Sequence, residues 1–163
     1  MPRVHLNLGS NRGDSKKNLS RACELLLDKL GSTISTVRKS RVIMSDPWGY
    51  SSENRFSNMG LSFETDIPSL KLLEITQCVE RETGGPDDFH RNPDGTYRDR
   101  LIDIDIIFYG HERLNHPKLT LPHPLMQERR FVLQPIAEID PLWRHPDNGL
   151  SAAEMLREGS KSM

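Results

Sequence analysis

Residues 101–108 read LIDIDIIF, and the parity of this octapeptide decides what the rest of the chain can build. In an extended strand successive side chains leave opposite faces, so Ile102, Ile104 and Ile106 share one face while Asp103 and Asp105 share the other. One face asks for a covering layer and the other forms an acidic edge. Upstream, residues 86–99 (PDDFHRNPDGTYRD) follow neither the helical nor the strand period and are rich in turn formers, which predicts a long exposed loop of the kind that serves as a lid. Before it, Pro68 suits a first helical turn, and Leu70, Leu73 and the set Leu72, Ile75 and Val79 give an amphipathic helix stopped at Gly84-Gly85.

Further from the octapeptide, residues 56–64 alternate, with Met59, Leu61 and Phe63 on one face and Phe56 and Asn58 on the other. Residues 33–44, rich in Thr, Val, Ile and Ser, read as one strand broken at Asp46-Pro47-Trp48-Gly49, where a loop opens. Val4, Leu6 and Leu8 alternate with Arg3, His5 and Asn7 as in a half-buried strand running into Gly9-Ser10-Asn11. Asp14 caps a helix carrying Leu19, Ala22, Cys23, Leu26 and Leu30, with Gly31 as its stop. Downstream of the octapeptide, KLTLPHP reads as a short strand and residues 125–139 as helix in pieces. Ser151 and Glu154 then form a capping box for a last helix with a frayed GSKSM tail. This order predicts an α+β, ferredoxin-like fold: a largely antiparallel sheet covered by helices, in three αβα layers, as a single domain over residues 1–163.

The bulk numbers narrow the function. Charged residues make up 28% of the 163, yet the formal net charge is −1, which gives no polybasic field for nucleic acid or an anionic membrane. No signal-like or membrane-spanning apolar run is present, so a cytoplasmic location is expected. Cys23 and Cys78 fall in helical apolar patterns and are expected as buried reduced thiols.

Two carboxylates on one strand face repel each other unless a cation lies between them. Hard oxygen donors without clustered His or Cys suit Mg²⁺ that completes its shell with water and substrate phosphates, which points to a nucleotide. The alternative is a pair of surface acids facing solvent or pairing with Arg98 and Arg100. Gln77 and Glu80 share a helix face at i, i+3, and Lys118, His123 and Arg129 offer donors for phosphate oxygens. Two rival readings are another Mg²⁺-dependent phosphotransferase and a ferredoxin-like nucleic-acid-binding module. The latter should carry aromatics where this strand carries Asp103 and Asp105.

Taken in order from about residue 3 to 141, the motifs resemble the 6-hydroxymethyl-7,8-dihydropterin pyrophosphokinase family. They are Gly9-Ser10-Asn11, Asp46-Pro47-Trp48-Gly49 before Phe56-x-Asn58, Arg100-x-x-Asp103-x-Asp105, Pro122-His123-Pro124 and Arg129-x-Phe131. The resemblance implies pyrophosphoryl transfer from ATP to a hydroxymethyl pterin in folate biosynthesis, with two Mg²⁺ ions on Asp103 and Asp105. It further implies Arg100, Lys118, His123 and Arg129 on the phosphates, Gln77 and Glu80 at the nucleoside, and Leu73, Ile106 and Thr120 around adenine. For the pterin it implies a sandwich between Phe56 and Phe131, the amide of Asn58, the backbone of Ser45, Asp46, Pro47 and Trp48 along one edge, and Tyr97 as a lid aromatic. Arg91 takes the catalytic role of an arginine that many members carry where this chain has Gly85, and Arg98-Asp99 stands where many have Gly-Pro. The partners expected are ATP and the pterin, with neither nucleic acid nor membrane, and a monomer.

Overall fold

The computed structural model describes residues 1–45, 56–84 and 102–161. The expectations placed on Asp46, Pro47, Trp48, Arg91, Tyr97, Arg98 and Arg100, and on the loop at 86–99, lie outside the described residues. The elements run β1 (Arg3–Ser10), α1 (Ser15–Leu30), β2 (Ile34–Lys39), β3 (Ile43–Ser45), β4 (Phe56–Thr65), α2 (Ser69–Gly84), β5 (Asp103–Tyr109), β6 (Leu114–His116), β7 (Leu119–Leu121), α3 (Arg130–Ile139) and α4 (Ala152–Lys161). Strands β2, β4, β1 and β5 lie side by side in that order, β3 joins the outer edge of β4, and β6 and β7 form a separate hairpin. Every pairing in the main sheet is antiparallel.

The alternation seen in the sequence sorts residues between two cores. Val4, Leu6 and Leu8 of β1, Leu61 and Phe63 of β4, and Ile104 and Ile106 of β5 pack with Leu19, Leu26, Leu72 and Val79 of α1 and α2. On the opposite side Ile107 and Phe108 pack with Val132, Leu133 and Ile136 of α3, Trp143, and Met155 of α4. The result is the expected three-layer α+β arrangement. Strand β1 is not half-buried as its alternation suggested, because α3 covers the second face too and leaves His5 and Asn7 buried.

Burying polar groups there demands partners. His5 Nδ1 lies 2.8 Å from Asp140 Oδ2, and Ser62 Oγ donates to Asp140 Oδ1 at 3.0 Å. Arg38 approaches the same carboxylate at 3.5 Å. Phe108 stacks on Trp143 with ring centroids 4.0 Å apart, and His5 stacks on Phe108 at 5.6 Å. This polar and aromatic seam fastens the segment after α3 to the middle of the sheet.

Local signals also held. Asp14 accepts a hydrogen bond from Lys17 N, and Gly31 ends α1 with a φ of 50°. Ser151 Oγ accepts from Glu154 N while Glu154 accepts from Ser151 N, the reciprocal pair of a capping box, and α4 then continues through Lys161 where a frayed tail was expected. The single strand expected over 33–44 is instead two. A register shift between Ser35 and Arg38, with Thr36 at a φ of 53°, distorts β2. The chain then leaves the sheet at Arg41, which pairs with Glu138 of α3 at 2.7 Å. Both cysteines are free thiols, but only Cys23 is buried, Cys78 being partly exposed on α2.

Gly60 of β4 marks a close approach between the sheet and α3. A Cβ there would lie 2.8 Å from His5 Cε1 and 2.8 Å from Pro135 Cβ, and neither neighbour is a flexible chain end. Gly60→Ala is expected to lower stability by about 1–3 kcal/mol, the usual cost of overpacking a core. Urea denaturation checks this, and an unchanged midpoint would show that α3 can slide away from the sheet at little cost.

Candidate active site

The site follows from the register of β1 with its two neighbours. Gly9 is the pairing partner of Asn58 on β4 and of Asp103 on β5, while Asn7 pairs with Gly60 and Asp105. Because side chains directly across antiparallel strands leave the same face, two rows cross the sheet: Asn58, Gly9, Asp103, and beside it Gly60, Asn7, Asp105. Phe56, two residues before Asn58, belongs to this face as well. The carboxylates of β5 and the amide of β4 are thus set about two strand spacings apart, roughly 10 Å, by backbone pairing alone.

Among the described residues strand β5 is an edge of the sheet, so its outward amides need partners from elsewhere. Glu80, buried on α2, supplies one: its Oε2 accepts the peptide N–H of Ile104 at 2.9 Å. That bond grips the strand between the two aspartates. Sequence reasoning had assigned Glu80 a substrate contact and missed this one, since nothing local in the sequence pairs residue 80 with residue 104.

A cleft of about 410 Å³ opens along this edge. It gathers Leu73, Gln77 and Glu80 from α2, Asp103, Asp105 and Ile106 from β5, and Lys118, Thr120 and His123 from the β6–β7 hairpin and the turn after it. His116 and Pro117 of the hairpin line it too, and neither was singled out beforehand, because β6 is too short to show a period. A larger groove of about 690 Å³ lies beside Arg3, Arg38 and Trp143, away from the acids. Volume does not single out this cleft; the convergence of acids, bases and apolar walls makes it the candidate site.

His123 is held at both ends. Its backbone N–H donates to Ile107 O at 2.8 Å, and its Nδ1 accepts from Leu125 N at 3.2 Å, so the neutral ring carries its proton on Nε2. Burial lowers its pKa to about 4, the Arg129 guanidinium adds to the effect, and Asp103 partly opposes it. It is therefore an uncharged donor at neutral pH. Arg129 stands at the start of α3 with its guanidinium carbon 5.8 Å from the centre of the Phe131 ring. Phe131 packs partly against the second core, and Asn58 is 1% exposed. Ser45 pairs with Phe56, which sets its backbone beside that of β4 at the start of the strand.

Among the described residues no group of three or more His, Cys, Asp or Glu side chains forms a metal cage. The acidic pair offers hard oxygens only, a donor set that fits a divalent cation taking its remaining ligands from water and phosphate.

Residues 5–141 match the family model described as 7,8-dihydro-6-hydroxymethylpterin-pyrophosphokinase (HPPK). A 2-amino-4-hydroxy-6-hydroxymethyldihydropteridine pyrophosphokinase from Porphyromonas gingivalis is 37% identical over 145 residues, which cover 88% of this chain and 94% of that protein. The Bacillus subtilis protein of the same name is 36% identical over 136 residues, 83% of this chain and 77% of its own. Among solved structures, wild-type HPPK-DHPS from Plasmodium falciparum superposes with a TM-score of 0.70 at 13% identity, over 100% of this chain and 44% of that longer one, a likeness of fold. The shared motifs, the extent of the match and the architecture agree: the chain belongs to the 7,8-dihydro-6-hydroxymethylpterin-pyrophosphokinase family.

Proposed function

We propose that this chain transfers the pyrophosphoryl group of ATP to the hydroxymethyl oxygen of 6-hydroxymethyl-7,8-dihydropterin, releasing AMP, as a step of folate biosynthesis. The observation that carries this reading is the row Asn58, Gly9, Asp103, in which a buried amide and a phosphate-side carboxylate share one strand face. A flat heterocycle with its own donors and acceptors fits the amide end, where Phe56 and Phe131 offer stacking faces. A triphosphate fits the other end, where Lys118, His123 and Arg129 supply donors and Leu73, Ile106 and Thr120 offer a wall for the base. Arg100, Arg91 and Tyr97 join this set by family resemblance, as do Asp46, Pro47 and Trp48 along the pterin edge. The same reading takes residues 1–163 as a single pyrophosphokinase domain that works as a cytoplasmic monomer.

Asp103 and Asp105 would hold two Mg²⁺ ions, whose chemistry is to neutralise and orient the phosphate chain. The remaining work is alignment. The pterin hydroxyl oxygen bonds to the β-phosphorus as the bond from that phosphorus to the α,β-bridging oxygen breaks; AMP leaves with that oxygen and the hydroxyl proton is released to water. Asn58 fixes the ring that carries the attacking oxygen. His123 donates its Nε2 proton to a phosphate oxygen as a hydrogen bond, and Lys118 and Arg129 compensate charge on the same chain of phosphates. Glu80 holds Ile104, and so both carboxylates, at fixed spacing.

The deciding experiment follows AMP release from ATP with and without the pterin. Release that requires the pterin is expected, and equal ATP hydrolysis without it would overturn the reading. In the same assay Asp103→Asn or Asp105→Asn should lower turnover by about 10²–10³-fold, the scale of a lost electrostatic contact to a transition state, with the circular dichroism spectrum unchanged.

Asn58→Ala and Phe131→Ala should each weaken pterin binding by about 1–3 kcal/mol while leaving a non-hydrolysable ATP analogue bound as before. Calorimetric titration of the two ligands separately reads both numbers, and equal losses would mark the residues as core alone.

His123 should remain neutral from pH 8 down to about 5 and titrate near 4 in the free protein, as followed by NMR of its ring. Since this folded-state pKa lies below the ordinary 6.5, the histidine's contribution to stability is complete above 6.5 and is lost as pH falls toward 4. A bound triphosphate should raise the midpoint. A ring that titrates near 6.5 in the free protein would contradict the burial assigned to it.

A further inference from the structure

The Gly9-Ser10-Asn11 motif at the end of β1 supplies no side chain to the proposed chemistry. Gly9, its first residue, lies within β1 and pairs on both sides, so the turn itself does not require a glycine there. What requires it is space. A Cβ on Gly9 would stand 3.2 Å from Asn58 Oδ1, 3.3 Å from Phe56 Cδ1 and 3.6 Å from Phe56 Cε1. These neighbours are the two β4 groups to which the proposed function gives the pterin ring. The missing side chain is therefore filled from the neighbouring strand by the edge of an aromatic ring and the oxygen of an amide.

From this packing we infer that Gly9 is a positioning residue that sets the depth of the pterin slot. Without a side chain at position 9, the Phe56 ring and the Asn58 amide close over the backbone of β1. A methyl group there pushes ring and amide outward, toward the side on which Phe131 stands, and the slot between the two aromatics narrows. The phosphate end is spared, because Asp103 is held from its own strand by the register with β1 and by the bond from Glu80 to Ile104. The contrast with Gly60 is instructive. Its hypothetical Cβ strikes His5 and Pro135, which belong to the core, so a side chain at Gly60 disturbs the fold whereas one at Gly9 disturbs the site.

The inference rests on the pterin reading of Phe56 and Asn58, and a double-mutant cycle tests it apart from that reading. Binding of the hydroxymethyl pterin, in the presence of Mg²⁺ and a non-hydrolysable ATP analogue, is measured for wild type, Gly9→Ala, Phe56→Ala and the double variant, alongside binding of the analogue alone and thermal melting. Gly9→Ala should weaken pterin binding by about 10-fold, the scale of an overpacked contact, and leave the analogue within about 2-fold. In the Phe56→Ala background, where the ring to be displaced is gone, the same change should cost much less, and a double variant that melts higher than Gly9→Ala alone would report relief of the same contact. Undiminished pterin binding by Gly9→Ala, equal loss of both ligands, or full additivity in the cycle would overturn the positioning role while leaving the proposed function standing. Failure of the wild-type protein to bind the pterin at all would overturn both.

Discussion

The simultaneous antiparallel pairing of β1 with β4 and β5 is the constraint on which the site depends. Gly9 lies opposite Asn58 on one side and Asp103 on the other, and a slip of β5 by one residue would turn its carboxylates into the apolar core. Burial on both faces of β1 makes a slip of that strand prohibitive too, since Val4, Leu6 and Leu8 are needed by α1 and α2 while His5 is needed by Asp140. The spacing of the proposed site is thus inherited from core packing.

The two faces of the sheet solve different problems with the same strands. The α1–α2 face is a conventional apolar core. The opposite face combines the second apolar core, where Ile107 and Phe108 meet α3 and α4, with a run of buried polar groups from the His5–Asp140–Ser62 cluster to Asn7 and Asn58, beside the aspartates. Buried polar groups hold a structure in register only when they are satisfied, and here the carboxylate of Asp140 takes partners from β1, β2 and β4. Fastening α3 firmly at that end leaves its first turn, with Arg129 and Phe131, in a defined place over the other.

Much of this was legible in the sequence because it rests on short periods. The alternation of LIDIDIIF placed both aspartates on one face, that of Phe56 to Phe63 put Asn58 opposite Leu61, and the Ser151–Glu154 spacing announced a cap that the structure forms. The motif resemblance named the family, which the comparisons bear out. What escaped was decided by contacts between distant residues. A left-handed Thr36 distorts β2, and at the break before β3 Arg41 is paired with Glu138 of α3, neither of which has a local signature. His5 and Asn7 read as a solvent-facing row because alternation shows which residues are apolar and not whether a second layer covers the polar ones. The grip of Glu80 on Ile104 joins helix to strand across 24 positions and was invisible for the same reason.

The central position of β1 also sets an order on synthesis. As the chain emerges from the ribosome, β1 is available early and β4 can join it as a partial sheet, but β5 lies beyond α2, so the acidic half of the site cannot exist until residues 103–109 have cleared the exit tunnel. Until then β1 presents an unpaired edge of alternating Val, Leu and Leu to the surroundings, and its long-range partner must win a race against association with other chains. The strand that unites the two halves of the proposed site is thus the one whose second edge in the main sheet is paired last.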